Sequence, residues 1–350
     1  MASWDFYKTN IHNKWKKKWF ENHPDDIAEY SWNYLFTGGK ELRSKLFCEL
    51  WVYLSPDSEV FAELAFAIEC VHVASIVLDD TPWMDNASHR RGRTTLHAMF
   101  SPKKAALIAG EVLYMAVEIW RTNKPDHIDE HVWKSILISK LQRLTSGQWL
   151  DLEKKGNLVE LASLKTGVLF ELVTETVATC IKLDTEFWKI WGNNLGVLFQ
   201  WMDDWLDREE DIVQNNRNAF NESPDITLKN YISIWQKLEK NIGPQWFNRP
   251  LGIFMKKYFI EQLNIVNIES LYMTNLNEVC IPYPNNIIIP DFTEQEPNDS
   301  RYNYINQFIK GLSRENILKR VYHMSYNLFE LTPPQTNLWK IDEDKWEQHV

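Results

Sequence analysis

Glycine and proline are scarce in this chain, 12 and 14 residues among 350. A sandwich or barrel of many short strands needs turn residues every few positions, so that class is excluded and long helices are expected. Cysteine is scarcer still. Cys48, Cys70, Cys180 and Cys280 lie far apart in apolar settings, with no CxxC pair and no Cys/His spacing suited to zinc. They read as buried thiols of a reducing compartment, so a soluble, cytoplasmic protein is expected. Basic charge is in deficit: 38 Lys and Arg against 48 Asp and Glu leave −10. A nucleic-acid binder carries the opposite balance. No run reaches the roughly 18 uninterrupted apolar residues of a transmembrane helix. The first 19 residues have neither the apolar core of a secretory signal nor the Ser/Arg-rich, acid-poor composition of a transit peptide.

What is present is helical periodicity. Apolar residues recur at helix spacing nearly throughout, which predicts helices over 24–37, 41–54, 58–79, 84–100, 102–122, 129–146, 148–155, 158–182, 184–210, 226–242 and 250–276. Strand-like alternation is nearly absent. The fold class is therefore all-α, a single-domain helical bundle over residues 1–281 followed by a C-terminal extension over 282–350. The stretch 281–300 is the only one of Pro/Asn-rich linker composition. Near the N-terminus, Trp15 and Trp19 share a helix face among Lys14, Lys16, Lys17 and Lys18. Membrane-surface helices look like this, but so does a short helix that docks two Trp rings and leaves its lysines in water. The second reading is preferred, because one and a half turns is short for membrane binding.

Two acidic clusters end strongly apolar segments. The first is Asp79-Asp80-Thr81-Pro82-Trp83-Met84-Asp85, the second Asp203-Asp204-Trp205-Leu206-Asp207. On a helix Asp203 and Asp207 project within about 40° of each other. Gln200 shares their face one turn earlier. Pro82 disfavours helix at Thr81, so the chain is expected to break there and swing Asp85 back toward Asp79. Grouped carboxylates resist burial unless something cationic joins them. Oxygen-only donors suit a hard divalent ion such as Mg²⁺.

Cations are grouped as well. Gly38-Gly39-Lys40-Glu41-Leu42-Arg43 is a flexible turn opening a helix, with Lys40 and Arg43 on one face. A helix start flanked by Lys and Arg favours phosphate, although the spaced glycines of a Walker loop are missing. His89-Arg90-Arg91-Gly92-Arg93 follows Asp85, Lys165-Thr166 sits on a later helix, and Arg217 follows the second acidic cluster. Carboxylates that recruit metal, set opposite cations, point to a diphosphate ligand.

In order and spacing these motifs resemble the trans-isoprenyl diphosphate synthases, the polyprenyl synthetase family that includes geranylgeranyl and farnesyl diphosphate synthases. The resemblance runs over about residues 30–220. It takes in the GGKxxR stretch from 38 to 43, His72, the first aspartate motif with Arg90-Arg91-Gly92, Gly147-Gln148 with Asp151, Lys165-Thr166-Gly167, and Phe199-Gln200 before the second motif. It implies the isoprenoid synthase bundle with a central active-site cavity, and a homodimer. It implies a prenyltransferase that joins isopentenyl diphosphate head-to-tail to dimethylallyl, geranyl or farnesyl diphosphate through an allylic carbocation. Asp79, Asp80, Asp85, Asp203 and Asp207 would bind three Mg²⁺ ions. Asp204 would lie behind them or meet a basic side chain. Arg90, Lys165 and Arg217 would hold the allylic diphosphate, and Lys40, Arg43, His72 and Arg91 isopentenyl diphosphate. Thr166 and Gln200 would set oxygen dipoles beside the cationic carbons, completing a catalytic group with Lys165.

In that family, bulky residues four and five before the first Asp floor the cavity of short-product enzymes. Here they are the small Ser75 and Ala74, which implies a deeper pocket and geranylgeranyl diphosphate as product, with Tyr114 and Met115 as a second floor. Two departures stand out. Arg217 occupies the place of a lid-loop Lys, and Glu41 replaces a commoner basic residue in the GGK motif, a change expected to matter little. Two other readings use the same residues. A class I terpene cyclase would need no second diphosphate site, and a non-catalytic regulatory subunit would be expected to have lost aspartates.

Overall fold

The computed structural model describes residues 3–214, 217–243 and 245–261. It is built of helices: α1 Trp4–Asn22, α2 Asp25–Phe36, α3 Leu42–Leu54, α4 Ala62–Asp79, α5 Leu96–Met99, α6 Pro102–Thr122, α7 Glu130–Leu152, α8 Leu158–Ala162, α9 Val168–Cys180, α10 Thr185–Leu206, α11 Arg208–Gln214, α12 Ala219–Glu222 and α13 Pro224–Ile242. Among the described residues the only sheet is a hairpin, β1 His89–Arg90 against β2 Arg93–Thr94. The all-α class is observed. No helix among the described residues is long and apolar enough to cross a membrane.

Helices α4 and α9 are buried on nearly every side, as expected of helices apolar all round. Helix α4 packs on α6 and α3, and α9 on α10 and α3. Helices α7 and α10 start where Asp129 and Asp184 accept the first backbone N–H groups, the usual N-cap role. Helix α10 comes so close to residue 167 that a Cβ on Gly196 would lie 2.6 Å from the Gly167 Cα. Only glycine permits that approach.

The expected elements recur with instructive exceptions. Residues 84–100 are not one helix; only α5, at their end, is helical. Arg91 and Gly92 both take positive φ, 51° and 69°, and form the two-residue turn of the hairpin, a geometry matched to strand twist. The segments 129–146 and 148–155 merge into α7, because Gly147 faces the Leu164 backbone and side chain instead of breaking the helix. The helix expected over 158–182 contains a single π-helical turn, Ser163–Gly167. Helix α1 docks through Trp15 and Trp19, which are 4% and 3% exposed, so the docking reading of the basic run holds. Residues 281–300, 301–331 and the extension 282–350 lie outside the described residues, as does the end of the helix expected over 250–276.

Candidate active site

Helix α4 ends at Asp79, and the chain then doubles back. The Asp85 N–H donates to the Asp79 carbonyl at 2.9 Å, and Ala87 N–H to that of Asp80 at 3.1 Å. This return brings Asp85 beside Asp79, as Pro82 suggests. Burial lifts the Asp79 carboxyl to about 6, with Asp85 adding to the effect and Lys165 opposing it. Burial likewise raises Asp85. Burial works against the charge of Lys165, yet Asp151, Asp79 and Asp85 together hold it above the ordinary lysine range. Its ammonium pairs with Asp151.

Asp80 differs from its neighbours. It is 1% exposed, with one oxygen accepting from Arg90 Nε at 2.6 Å and the other from the Tyr34 hydroxyl. Each oxygen thus already accepts one protein donor.

The second acidic cluster is stitched to the first wall through the π-turn. Thr166 Oγ1 donates to Gln200 Oε1 at 2.7 Å, and Gln200 Nε2 to Asp204 Oδ1 at 2.8 Å. The other Asp204 oxygen accepts from Ala219 N–H at 2.9 Å. Burial, with Asp211 and Asp207 adding to it, raises Asp204 to about 6. Asp203 and Asp207 lie a turn apart at the end of α10, with the Asp207 N–H on the Asp203 carbonyl. Among the described residues no three His, Cys, Asp or Glu side chains stand close enough to hold an ion by themselves.

The basic side is compact. Arg43 is 7% exposed, stacks over the Phe170 ring at 5.0 Å, and leaves its Nε without a hydrogen-bond partner. Burial lowers it to about 10, partly offset by Glu69 and Asp203. A buried guanidinium N–H with no protein partner is one that a water or an anion would satisfy. His72 is held well below the ordinary range by burial and by Arg43, Arg91 and Arg90, so it stays neutral. A Cβ on Gly39 would come within 2.9 Å of Arg91 Nη1. The glycine thus lets Arg91 lie across the loop that carries Lys40.

Two expected site residues sit elsewhere. Arg217 is tied to Glu222 at 3.0 Å and to the carbonyls of Lys155 and Gly156, bridging loops instead of facing the aspartates. Tyr114 is 76% exposed, so it does not floor a cavity within this chain. Met115 on the same helix is buried. His72, Ser75 and Asp79 fall on one face of α4, with Ser75 half-buried and Ala74 fully buried.

Sequence reasoning missed the support of the π-turn. Ser163 Oγ donates to Asn193 Oδ1 at 2.9 Å, and Asn193 Nδ2 to Glu171 Oε2 at 3.0 Å. Glu171 also takes Arg143 at 2.6 Å and Lys140 at 3.1 Å, and Lys140 reaches Glu175 at 2.5 Å. Asn218, fully buried, donates to the Asp204 carbonyl and caps α12. Its N-cap position was the only sequence signal available for it.

The polyprenyl synthetase pattern matches residues 25–230. This chain belongs to the polyprenyl synthetase family. It is 31% identical over 193 residues to the farnesyl diphosphate synthase of Geobacillus stearothermophilus, covering 50% of this chain and 64% of that one. It is 30% identical over 181 residues to the geranylgeranyl diphosphate synthase of Rhodobacter capsulatus, covering 49% and 62%. The chain thus spans less than two thirds of the length of these curated relatives. A Helicobacter pylori geranyltransferase solved with magnesium and isoprenyl diphosphate superposes with a TM-score of 0.55 at 20% identity, over 76% of this chain and 99% of that one. That likeness establishes the isoprenoid synthase fold. The relatives divide between fifteen- and twenty-carbon names, so family membership leaves product length open.

Proposed function

We propose that this polyprenyl synthetase is a short-chain prenyltransferase that condenses isopentenyl diphosphate with dimethylallyl, geranyl or farnesyl diphosphate, ending at geranylgeranyl diphosphate. The observation that carries the proposal is the buried Arg43 with its unpartnered Nε, beside His72 and Arg91. This is a second anion site, in addition to the Asp79/Asp85 wall that Lys165 faces. A terpene cyclase has no use for it.

The donor set fits Mg²⁺. Asp79 and Asp85 present hard oxygens whose ionisation burial disfavours, a penalty that a divalent cation relieves. Asp79, Asp85, Asp203 and Asp207 would hold three such ions jointly with diphosphate oxygens. Bound there, Mg²⁺ neutralises charge on the leaving diphosphate.

The chain's own groups do the rest. Lys165 and Arg90 hold the allylic diphosphate and stabilise negative charge as its C–O bond breaks. Thr166 and Gln200 turn their oxygen dipoles toward the resulting allylic cation. Arg43, Arg91, Lys40 and His72 hold isopentenyl diphosphate so that its double bond meets that cation and forms the new C–C bond. The proton lost from the adjacent carbon passes to the departed diphosphate. His72 is a poor base, since burial and three arginines depress its pKa, so it serves as a hydrogen-bond donor. Closely packed apolar helices exclude water that would quench the cation.

A homodimer completes the proposal. Leu107, Tyr114 and Val117 on α6 and Ile138, Trp149 and Leu152 on α7 are large apolar side chains in contact with solvent. Their helical spacing makes stripes of the kind that mark an interface. A reducing, cytoplasmic setting suits the buried free thiols Cys48, Cys70 and Cys180.

The deciding experiment incubates the purified chain with Mg²⁺, isopentenyl diphosphate and each allylic primer. Longer diphosphates are expected. Hydrocarbons or alcohols would identify a cyclase, and no product at all a regulatory subunit.

A further inference from the structure

Helix α1 lies ahead of the family match, which begins at residue 25, yet it reaches the basic side of the site. Lys8 Nζ pairs with Glu41 Oε2 at 2.7 Å, and Trp4 Nε1 donates to the same oxygen at 3.2 Å. Trp4 is fully buried, and the Glu41 side chain is only 10% exposed. Glu41 itself takes a left-handed conformation, φ 48°, which a non-glycine residue holds only when its surroundings impose it. On the other side of Lys40, Gly39 is pressed against the Arg91 guanidinium. The loop at 38–41 is therefore clamped at both ends, by the hairpin and by α1.

The electrostatics give the clamp a purpose. Glu41 adjoins Lys40, and its charge is felt at Glu69, which in turn faces Arg43. Left uncompensated, that carboxylate would repel a diphosphate drawn to Arg43 and Lys40. Lys8 is the ion-pair partner that cancels it.

We propose that Lys8 and Trp4 are positioning residues for isopentenyl diphosphate: they pin Glu41, cancel its charge, and so set the loop that presents Lys40 and Arg43. This rests on the prenyltransferase reading. The sequence motif places Glu41 at a substitution of little consequence, whereas the structure makes it the acceptor that couples α1 to the substrate loop.

The test uses the full chain as wild type, Lys8→Met, Lys8→Arg, Glu41→Gln and the Lys8→Met/Glu41→Gln pair, with thermal midpoints to verify folding. Lys8 is one-third exposed, so its loss leaves the core intact. Lys8→Met is expected to raise KM for isopentenyl diphosphate about fivefold, while KM for geranyl diphosphate and kcat stay within about twofold. Lys8→Arg restores the wild-type value, and Lys8→Met adds nothing in the Glu41→Gln background. An unchanged KM, a parallel rise for both substrates, or an effect that persists without the Glu41 charge overturns the clamp. Calorimetric binding of isopentenyl diphosphate to wild type and Lys8→Met separates this from failure of the functional reading. If wild type makes no longer diphosphate, the prenyltransferase reading falls. Binding about fivefold weaker in Lys8→Met still supports the clamp, whereas equal binding, or none by either protein, overturns it.

Discussion

Arg90 donates its Nε–H to Asp80 at 2.6 Å, and Asp80 is buried beneath it. The pair fixes where the rest of the guanidinium points, since a buried carboxylate with a second donor in Tyr34 cannot follow a moving partner. Asp79 and Asp80, adjacent in the chain, thus have different surroundings: Asp80 pairs with Arg90, whereas Asp79 lies among Asp85 and Lys165.

Asp80→Asn is expected to lower kcat/KM for the allylic substrate by about 10- to 100-fold, the usual cost of losing a group that orients a site residue. The Mg²⁺ concentration at half-maximal rate should stay where it is. Asp79→Asn should shift that concentration upward. Initial rates across a Mg²⁺ titration decide the point, and equal shifts for the two variants would return Asp80 to the ions.

Product length should respond to Ser75 more than to Ala74. Ser75 is half-buried on the face of α4 that carries His72 and Asp79, whereas Ala74 is fully buried. Ser75→Phe is expected to shorten the product, toward fifteen carbons or fewer. Ala74→Phe should instead cost about 1–3 kcal/mol of stability by overpacking. Chromatography of dephosphorylated products and urea unfolding measure the two outcomes.

Stability should fall in mild acid through His12. It is ringed by Trp4, Trp32, Phe36 and Phe66. Burial, with Lys8 adding to it, lowers its pKa to about 4. The unfolded chain takes up this proton near the ordinary pKa of about 6.5, while the folded chain refuses it until about 4. The contribution is therefore complete above the higher value and is lost as pH falls through that window. His12→Phe should flatten the slope of unfolding free energy between pH 7 and 5; an unchanged slope would exonerate His12.

The exposed stripes predict the assembly state. Wild type should sediment as a dimer, and Leu107→Glu with Tyr114→Glu as a monomer, because charge in a desolvated apolar interface is strongly disfavoured. A monomeric wild type would end the homodimer proposal.

How much of this was legible beforehand varies with the range of the interaction. The spans of α2, α3, α6 and α13 follow from local periodicity, and so does the return of Asp85, which a proline sets within six residues. The hairpin at 89–94 was hidden because its strands are two residues long and their alternation is too brief to read. The π-turn was hidden because a partner that holds it, Asn193 on Ser163, lies thirty residues away.

Residue types and their order alone determined that this chain is helical and that it carries two acidic motifs and a grouped set of basic residues. Those features are written in spacing, and spacing survives in one dimension. Which aspartate pairs with an arginine, where Arg217 and Tyr114 point, and that α1 reaches Glu41 were decided only by tertiary structure. Each depends on which groups share burial, and a carboxylate or guanidinium has no fixed role until packing supplies its partner.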